Sequence, residues 1–295
     1  MVESRKSVED FRKDHCLDGT AQLDNIQVAV DCVNEANQIA FDFLGNIDNK
    51  TEKDGFVIHT HLNLIGRIFE HVGGMLTCVA TQCPTSSEAL WRVVVEGSVN
   101  LMHMSEFGRE EAIVAFFESW IDGHERKLDE WLDSIKDKEH SGSVRAQIDE
   151  RKKLVSFYKN YVAGFIDKFA VDRKNYTSVW PKSLFKRFKN VDCEEFYYAH
   201  YHRLSGASHI TAEDTISWLI ALNLDFDQQQ KIANEAVSYS IMMSRLSSVF
   251  FIDALAICCI EHGLSSKSKL NRLKELKEQI TTSVFEIAKS AGVPR

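Results

Sequence analysis

The chain has 295 residues, 44% of them hydrophobic and 26% charged, and a formal net charge of −8. This is the balance of a soluble globular protein. With only 14 Gly and 3 Pro, a sheet-rich fold with many tight turns is disfavoured, and long helices joined by short loops are expected. The acidic balance opposes indiscriminate nucleic-acid binding, because long-range steering of phosphates would be repulsive.

Residues 1–20 are polar, lack an apolar signal core, and read as a frayed or loosely docked terminus. Helical periodicity then predicts helices at Asp24–Leu44, Gly55–Ala80, Ser86–His103, Arg109–Ser134 and Ser143–Phe169, and a short one at Ser183–Phe188. Further helices are expected at Cys193–Leu204, Ala212–Leu222, Asp227–His262 and Lys267–Ala291. Thr85-Ser-Ser-Glu88 after Pro84 reads as a capping box, Thr211-Ala-Glu-Asp214 as a weaker start, and Gly263 as a C-terminal cap. Glu139–Gly142 suits a hairpin tip, and Asp172–Lys182, with Tyr176, Trp180 and Pro181, suits a loop. The expected architecture is a single all-α domain over residues 21–295, a helical bundle of eight to ten helices with short loops.

The longest apolar run, Leu246–Ile260, is about 15 residues against the roughly 20 a bilayer span requires, so it reads as a buried core helix and no membrane partner is expected. Asp253 within it is then either a helix–helix hydrogen-bonding group or a carboxylate that orients a catalytic histidine. The seven cysteines, odd in number and without Cys-x-x-Cys, point to reduced thiols in a cytoplasmic protein rather than to a disulfide framework or a zinc site.

Charge is unevenly spread. Residues 1–150 carry 14 Lys/Arg against 28 Asp/Glu, whereas residues 151–190 carry 11 against two, Asp167 and Asp172. The basic stretch holds nine aromatics, and such interleaving suits single-stranded nucleic acid through Lys182, Lys186, Arg187, Lys189 and Trp180. The other reading places Tyr158, Tyr161, Phe165 and Phe169 on a core-facing stripe, with the charges forming a solvated face that pairs with the acidic half or with a second subunit.

The segment Glu194–His209 concentrates three histidines, three tyrosines, Arg203 and two serines. On one continuous helix Tyr198, His202, Ser205 and His209 share a stripe, and Tyr201, Ser205 and His209 form an overlapping ladder. A histidine near a helix C-terminus is favoured in its protonated form, which suits a general acid. Arg92 and Glu96 lie at i, i+4 on an apolar helix, either as an intrahelical ion pair or with Glu96 orienting His202 or His209.

Arg203-Leu-Ser-Gly-Ala-Ser-His209 resembles the Arg-x(4–6)-His motif of the HEPN superfamily (higher eukaryotes and prokaryotes nucleotide-binding). Over about residues 60–260 the chain also resembles an uncharacterised bacterial all-helical family. That family's Arg-x-x-x-Glu helix corresponds here to Arg92 and Glu96, and its Tyr-x-x-x-Ser-x-x-x-His signature to Tyr201, Ser205 and His209. The HEPN resemblance implies metal-independent RNA cleavage in a homodimer, with His209 as general acid/base and Arg203 neutralising phosphate charge. Two departures stand out. Arg203 and His209 are six positions apart, about 120° around an unbroken helix, and converge only if the helix breaks near Gly206 or if they act from different subunits. Leu204 also replaces the polar residue that commonly follows the arginine.

His-Glu-x-x-His, phosphate-loop, dinucleotide and Gly-x-Ser-x-Gly motifs are absent, and His59-Thr-His61 and His200-Tyr-His202 point to different helix faces, so no metal or cofactor is expected. Two functional expectations follow: a HEPN-like ribonuclease or defence-type effector, or a non-enzymatic helical interaction or scaffold protein whose polar cluster is structural.

Overall fold

The computed structural model describes residues 2–17, 19, 21–48, 51–136, 142–172, 179–201 and 212–290. Among them lie eleven α-helices and no strand. They are α1 (Val2–Asp14), α2 (Gln27–Gly45), α3 (Glu52–Ala80), α4 (Pro84–Glu106), α5 (Arg109–Ser134) and α6 (Gly142–Phe169). After these come α7 (Leu184–Asn190), α8 (Glu194–Phe196), α9 (Ala212–Ala221), α10 (Phe226–Glu261) and α11 (Lys267–Ser290). The polar N-terminal stretch forms α1, whose residues from Val8 to Asp14 are exposed. Helix α4 begins at Pro84, so Thr85 lies inside the first turn instead of capping it; proline suits that first position because its missing N–H has no intrahelical partner there. The start predicted at Thr211 and most of the loop before Val179 fall outside the described residues.

The chain forms two compact units. The first comprises Met1–Asp48, His61–His103 and Phe188–Arg295. Here α10 packs against α2 and α11, which also touch each other. From Ser240 to Cys259 most of α10 is buried, as a helix apolar on all sides must be. Its buried Ser244, Ser247 and Ser248 donate to the carbonyls of Ile241, Met243 and Ser244 at 2.8–2.9 Å, which satisfies hydroxyls that have no water. By length and composition α10 alone among the described helices could cross a membrane, yet 61% of its apolar window is buried within the protein. Asp253 accepts from Lys277 of α11 at 2.8 Å on both oxygens, so it is a helix–helix partner. Burial raises its carboxyl pKa, and Lys277 partly offsets the rise.

The end of α10 follows from Gly263, which adopts φ 92°. Gly263 N–H donates to Ile260 O at 2.8 Å and Leu264 N–H to Cys259 O at 2.9 Å, the paired bonds of a left-handed C-terminal cap. The N-terminus is capped by Asp225, which accepts from Gln228 N–H at 2.9 Å. In the same unit α3 and α4 approach so closely that a Cβ on Gly97 would lie 2.9 Å from Ile68 Cγ1.

The second unit comprises Asn49–Thr60 and Met104–Arg187. Its centre is the α5–α6 hairpin. Val114, Ile121, Leu128 and Ile135 recur every seven residues, as do Ile148, Val155 and Val162, and all are buried in one cluster. A seven-residue repeat on both helices produces a coiled-coil-like seam. Phe56 closes one end of the seam against Phe165 and Phe169, with ring centroids 4.4 and 5.5 Å apart.

Candidate functional site

The polar segment does not begin as a regular α-helix. A single α-turn, α8, passes at Tyr197 into a π-helical turn, Tyr197–Tyr201. A π-turn advances more residues per revolution than the 3.6 of an α-helix, and of the expected stripe only Tyr198 is among the described residues. Tyr198 is 66% exposed whereas Tyr201 is 4% exposed. His202, Arg203, Ser205 and His209 lie outside the described residues.

Tyr201 is held by groups more than a hundred positions away. Its ring packs against Phe188 and Tyr197, with centroids 5.2 and 5.4 Å distant. Its hydroxyl donates to Glu96 Oε2 at 2.8 Å and accepts from Arg92 Nε–H at 3.1 Å. The Arg92 guanidinium also sits over the ring, 5.3 Å from its centroid. Because Arg92 and Glu96 are one turn apart on α4, one phenol bridges them. Burial is the main cause that pushes the Tyr201 pKa up to about 12. A phenol so placed is a neutral hydrogen-bonding group at neutral pH. The structure therefore brings together Arg92, Glu96 and Tyr201, three of the residues that carry the family resemblance, and Glu96 engages the phenol where a histidine partner was one expectation.

Beside this network an open concavity of about 630 Å³ is lined by Asp192, Cys193, Glu194, Glu195, Phe196, Ala199 and His200. Three carboxylates on its wall disfavour a phosphate ligand.

The expected nucleic-acid surface divides. Lys182, Lys186 and Lys189 are exposed. Trp180 and Arg187 are not: they are 5% and 8% exposed. The Arg187 guanidinium stacks 4.5 Å over the Trp180 ring and donates to Pro181 O at 2.8 Å, while Phe116 meets the Trp180 ring edge-on at 5.1 Å. A loop between two helices covers its apolar residues when a neighbouring core can accept them, which sequence composition does not reveal.

On α6 the lysines meet the acidic helix α5. Lys152 pairs with Asp129 at 2.7 Å and Lys159 with Glu125 at 2.9 Å, and each hydrogen bond raises the lysine pKa. The aromatic stripe expected to face the core is turned outward in part. Tyr158 is 39% and Tyr161 61% exposed, because the seven-residue seam is already filled by Ile148, Val155 and Val162.

The fold also assembles a group that sequence motifs did not predict. His61 of α3 meets Cys258 and His262 of α10, with one ligating atom from each lying within 4.8 Å of the others. The local signal was Cys258-x-x-x-His262, an i, i+4 pair at a helix end; its distant third member could not be read from spacing.

No curated protein matches the chain, and no solved structure does. A family model matches residues 59–240, which contain Arg92, Glu96 and Tyr201. On that match the chain belongs to a family of unknown function, DUF5677.

Proposed function

We propose that this protein is a non-enzymatic helical interaction protein that self-associates through an exposed aromatic face on α5 and α6, with the network around Tyr201 as framework. One observation carries the reading. Trp120, Leu154, Phe157, Tyr158 and Tyr161 are 42, 51, 62, 39 and 61% exposed. The four aromatic rings adjoin in a row, Trp120 to Tyr158 at 5.7 Å, Tyr158 to Phe157 at 5.9 Å and Phe157 to Tyr161 at 6.4 Å. A clustered apolar surface of this kind marks an interaction site. The neighbouring lysines are matched by Asp129 and Glu125, so apolar burial outweighs phosphate attraction there. A second copy is the fitting partner, because two antiparallel helical hairpins facing across a two-fold axis bury both faces in a four-helix arrangement.

Each ring withdrawn from water contributes about 1.5–3 kcal/mol. The double variant Phe157→Glu/Tyr161→Glu, altered only at exposed positions, is expected to weaken the dimer by roughly 100-fold or more while keeping its helical circular dichroism. Sedimentation velocity over a concentration series tests this. A wild-type chain that stays monomeric at every concentration overturns the reading.

A second reading, metal-independent RNA cleavage by Arg203 and His209, is favoured by a different observation. The Arg92–Tyr201–Glu96 network pins the residue immediately before His202, the kind of anchoring that a preorganised site needs. Exposed Lys189, in the same unit, would supply a phosphate contact. Cleavage of a single-stranded RNA without added metal, lost in His209→Ala, supports it; equal cleavage by that variant sinks it.

A further inference from the structure

We propose that His61, Cys258 and His262 form a zinc(II) site that ties α3 to the C-terminal end of α10. His61 and Cys258 are 1% and 0% exposed. His61 Nδ1 lies 3.0 Å from His262 Nε2 and 3.4 Å from Cys258 Sγ. A tetrahedral zinc ion with Zn–N near 2.0–2.1 Å and Zn–S near 2.3 Å sets its ligands about 3.3 Å apart for two nitrogens and about 3.6 Å for nitrogen and sulfur. These two separations are a few tenths of an ångström shorter, and the third, between Cys258 and His262, is within 4.8 Å, so small side-chain rotations bring the three donors to one ion.

The orientation of the groups agrees with that geometry. The two imidazole planes are inclined at 76° with centroids 5.2 Å apart, so the rings meet edge-on instead of stacking. A ring nitrogen has a single in-plane direction, either a proton or a lone pair. At His61 Nδ1 that one direction is approached by both an imidazole nitrogen and a thiol. A cation at the common focus accepts from all three donors at once.

The sequence builds the site from a local and a distant part. Cys258 and His262 are one turn apart, and His262 N–H donates to Cys258 O at 3.1 Å. Gly263 then stops the helix, so His262 is the C-cap residue and is only half-buried. That half-exposure provides an entry path. Two imidazoles and a thiolate select zinc over magnesium or calcium, which take oxygen ligands. Three protein ligands leave the fourth position to water or an added donor. On binding, the Cys258 thiol releases its proton to solvent and coordinates as thiolate. Cys258 and His262 lie beyond residue 240, outside the family match, and His61 lies within it.

The test uses the full chain, reduced, stripped of metal and titrated with zinc and with cobalt(II) as a spectroscopic substitute. The expected result is close to one zinc per chain by atomic absorption, and a cobalt spectrum with tetrahedral visible bands and a thiolate charge-transfer band. Cys258→Ser and His262→Ala should each weaken binding roughly 100-fold or more. Cys259→Ser, altered at the adjacent buried thiol, should keep wild-type stoichiometry. His262 is half-buried at a helix end, so its variant should remain folded by circular dichroism and keeps the test decisive. Failure of the wild type to bind either ion, or binding unchanged in both ligand variants, overturns the proposal.

Discussion

Tyr201→Phe removes one oxygen and leaves the ring packing against Phe188 and Tyr197 intact, so it isolates the polar network. The lost hydroxyl makes two charge-assisted hydrogen bonds, to Glu96 at 2.8 Å and from Arg92 at 3.1 Å. Hydrogen bonds to charged groups contribute about 1.5–3 kcal/mol each. Arg92 and Glu96, one turn apart, can close on each other in the variant and recover part of that. A net loss of about 2–3 kcal/mol is expected, or roughly 5 °C in melting temperature. The same residue also supplies a pH signature. Its folded pKa, pushed up to about 12, exceeds the unfolded value of 10.0. The folded state therefore binds more protons between those values, and stability that is full below pH 10.0 is lost as pH rises toward about 12. A difference of that size corresponds to about 3 kcal/mol. Urea melts of both proteins across this range give the measurement, and the difference between them should shrink as pH rises. A Tyr201→Phe variant within about 0.5 kcal/mol of wild type at neutral pH, with an unchanged alkaline profile, would refute the buried network.

Other positions give independent checks. Gly108, the N-cap of α5, sits at φ 148° with Val179 Cβ 3.2 Å from where a Cβ would stand, so Gly108→Ala should cost about 1–3 kcal/mol by thermal melting. Ile148 is fully buried at the centre of the α5–α6 seam; Ile148→Ala should cost about 2–5 kcal/mol, and a loss below 1 would argue against the heptad packing. Lys277→Met leaves half-buried Asp253 without its cation and should cost about 1 kcal/mol at neutral pH, a modest figure because the pair is partly solvated. Asp253 has a folded pKa raised above 3.8, so its charge is absent in both states below that value, and the cost of Lys277→Met should fade there.

Local signals predicted the long helices within a few residues. Arg109–Ser134 was placed without error, and Ser143–Phe169 and Asp227–His262 to within one residue at each end. These elements depend on 3.6-residue periodicity and on caps such as Gly263, which act over one or two turns. The outward turn of Tyr158 and Tyr161 is not legible in the sequence, because several stripes on one amphipathic helix satisfy the same spacing; which one faces inward depends on the partner helix. The π-turn at Tyr197–Tyr201 has no compositional mark.

The chain by itself determined that it folds as helices, that α10 is a core element, and that Arg92, Glu96 and Tyr201 merit attention. All of these follow from residue type and near-neighbour spacing. Only the tertiary structure decided that one phenol joins Arg92 to Glu96 across 109 positions, that Trp180 is covered by Arg187, and that His61 meets His262 across 201 positions. Contacts of that separation are set by which helix faces pack together, and that choice is made by the whole buried surface at once rather than by any local segment.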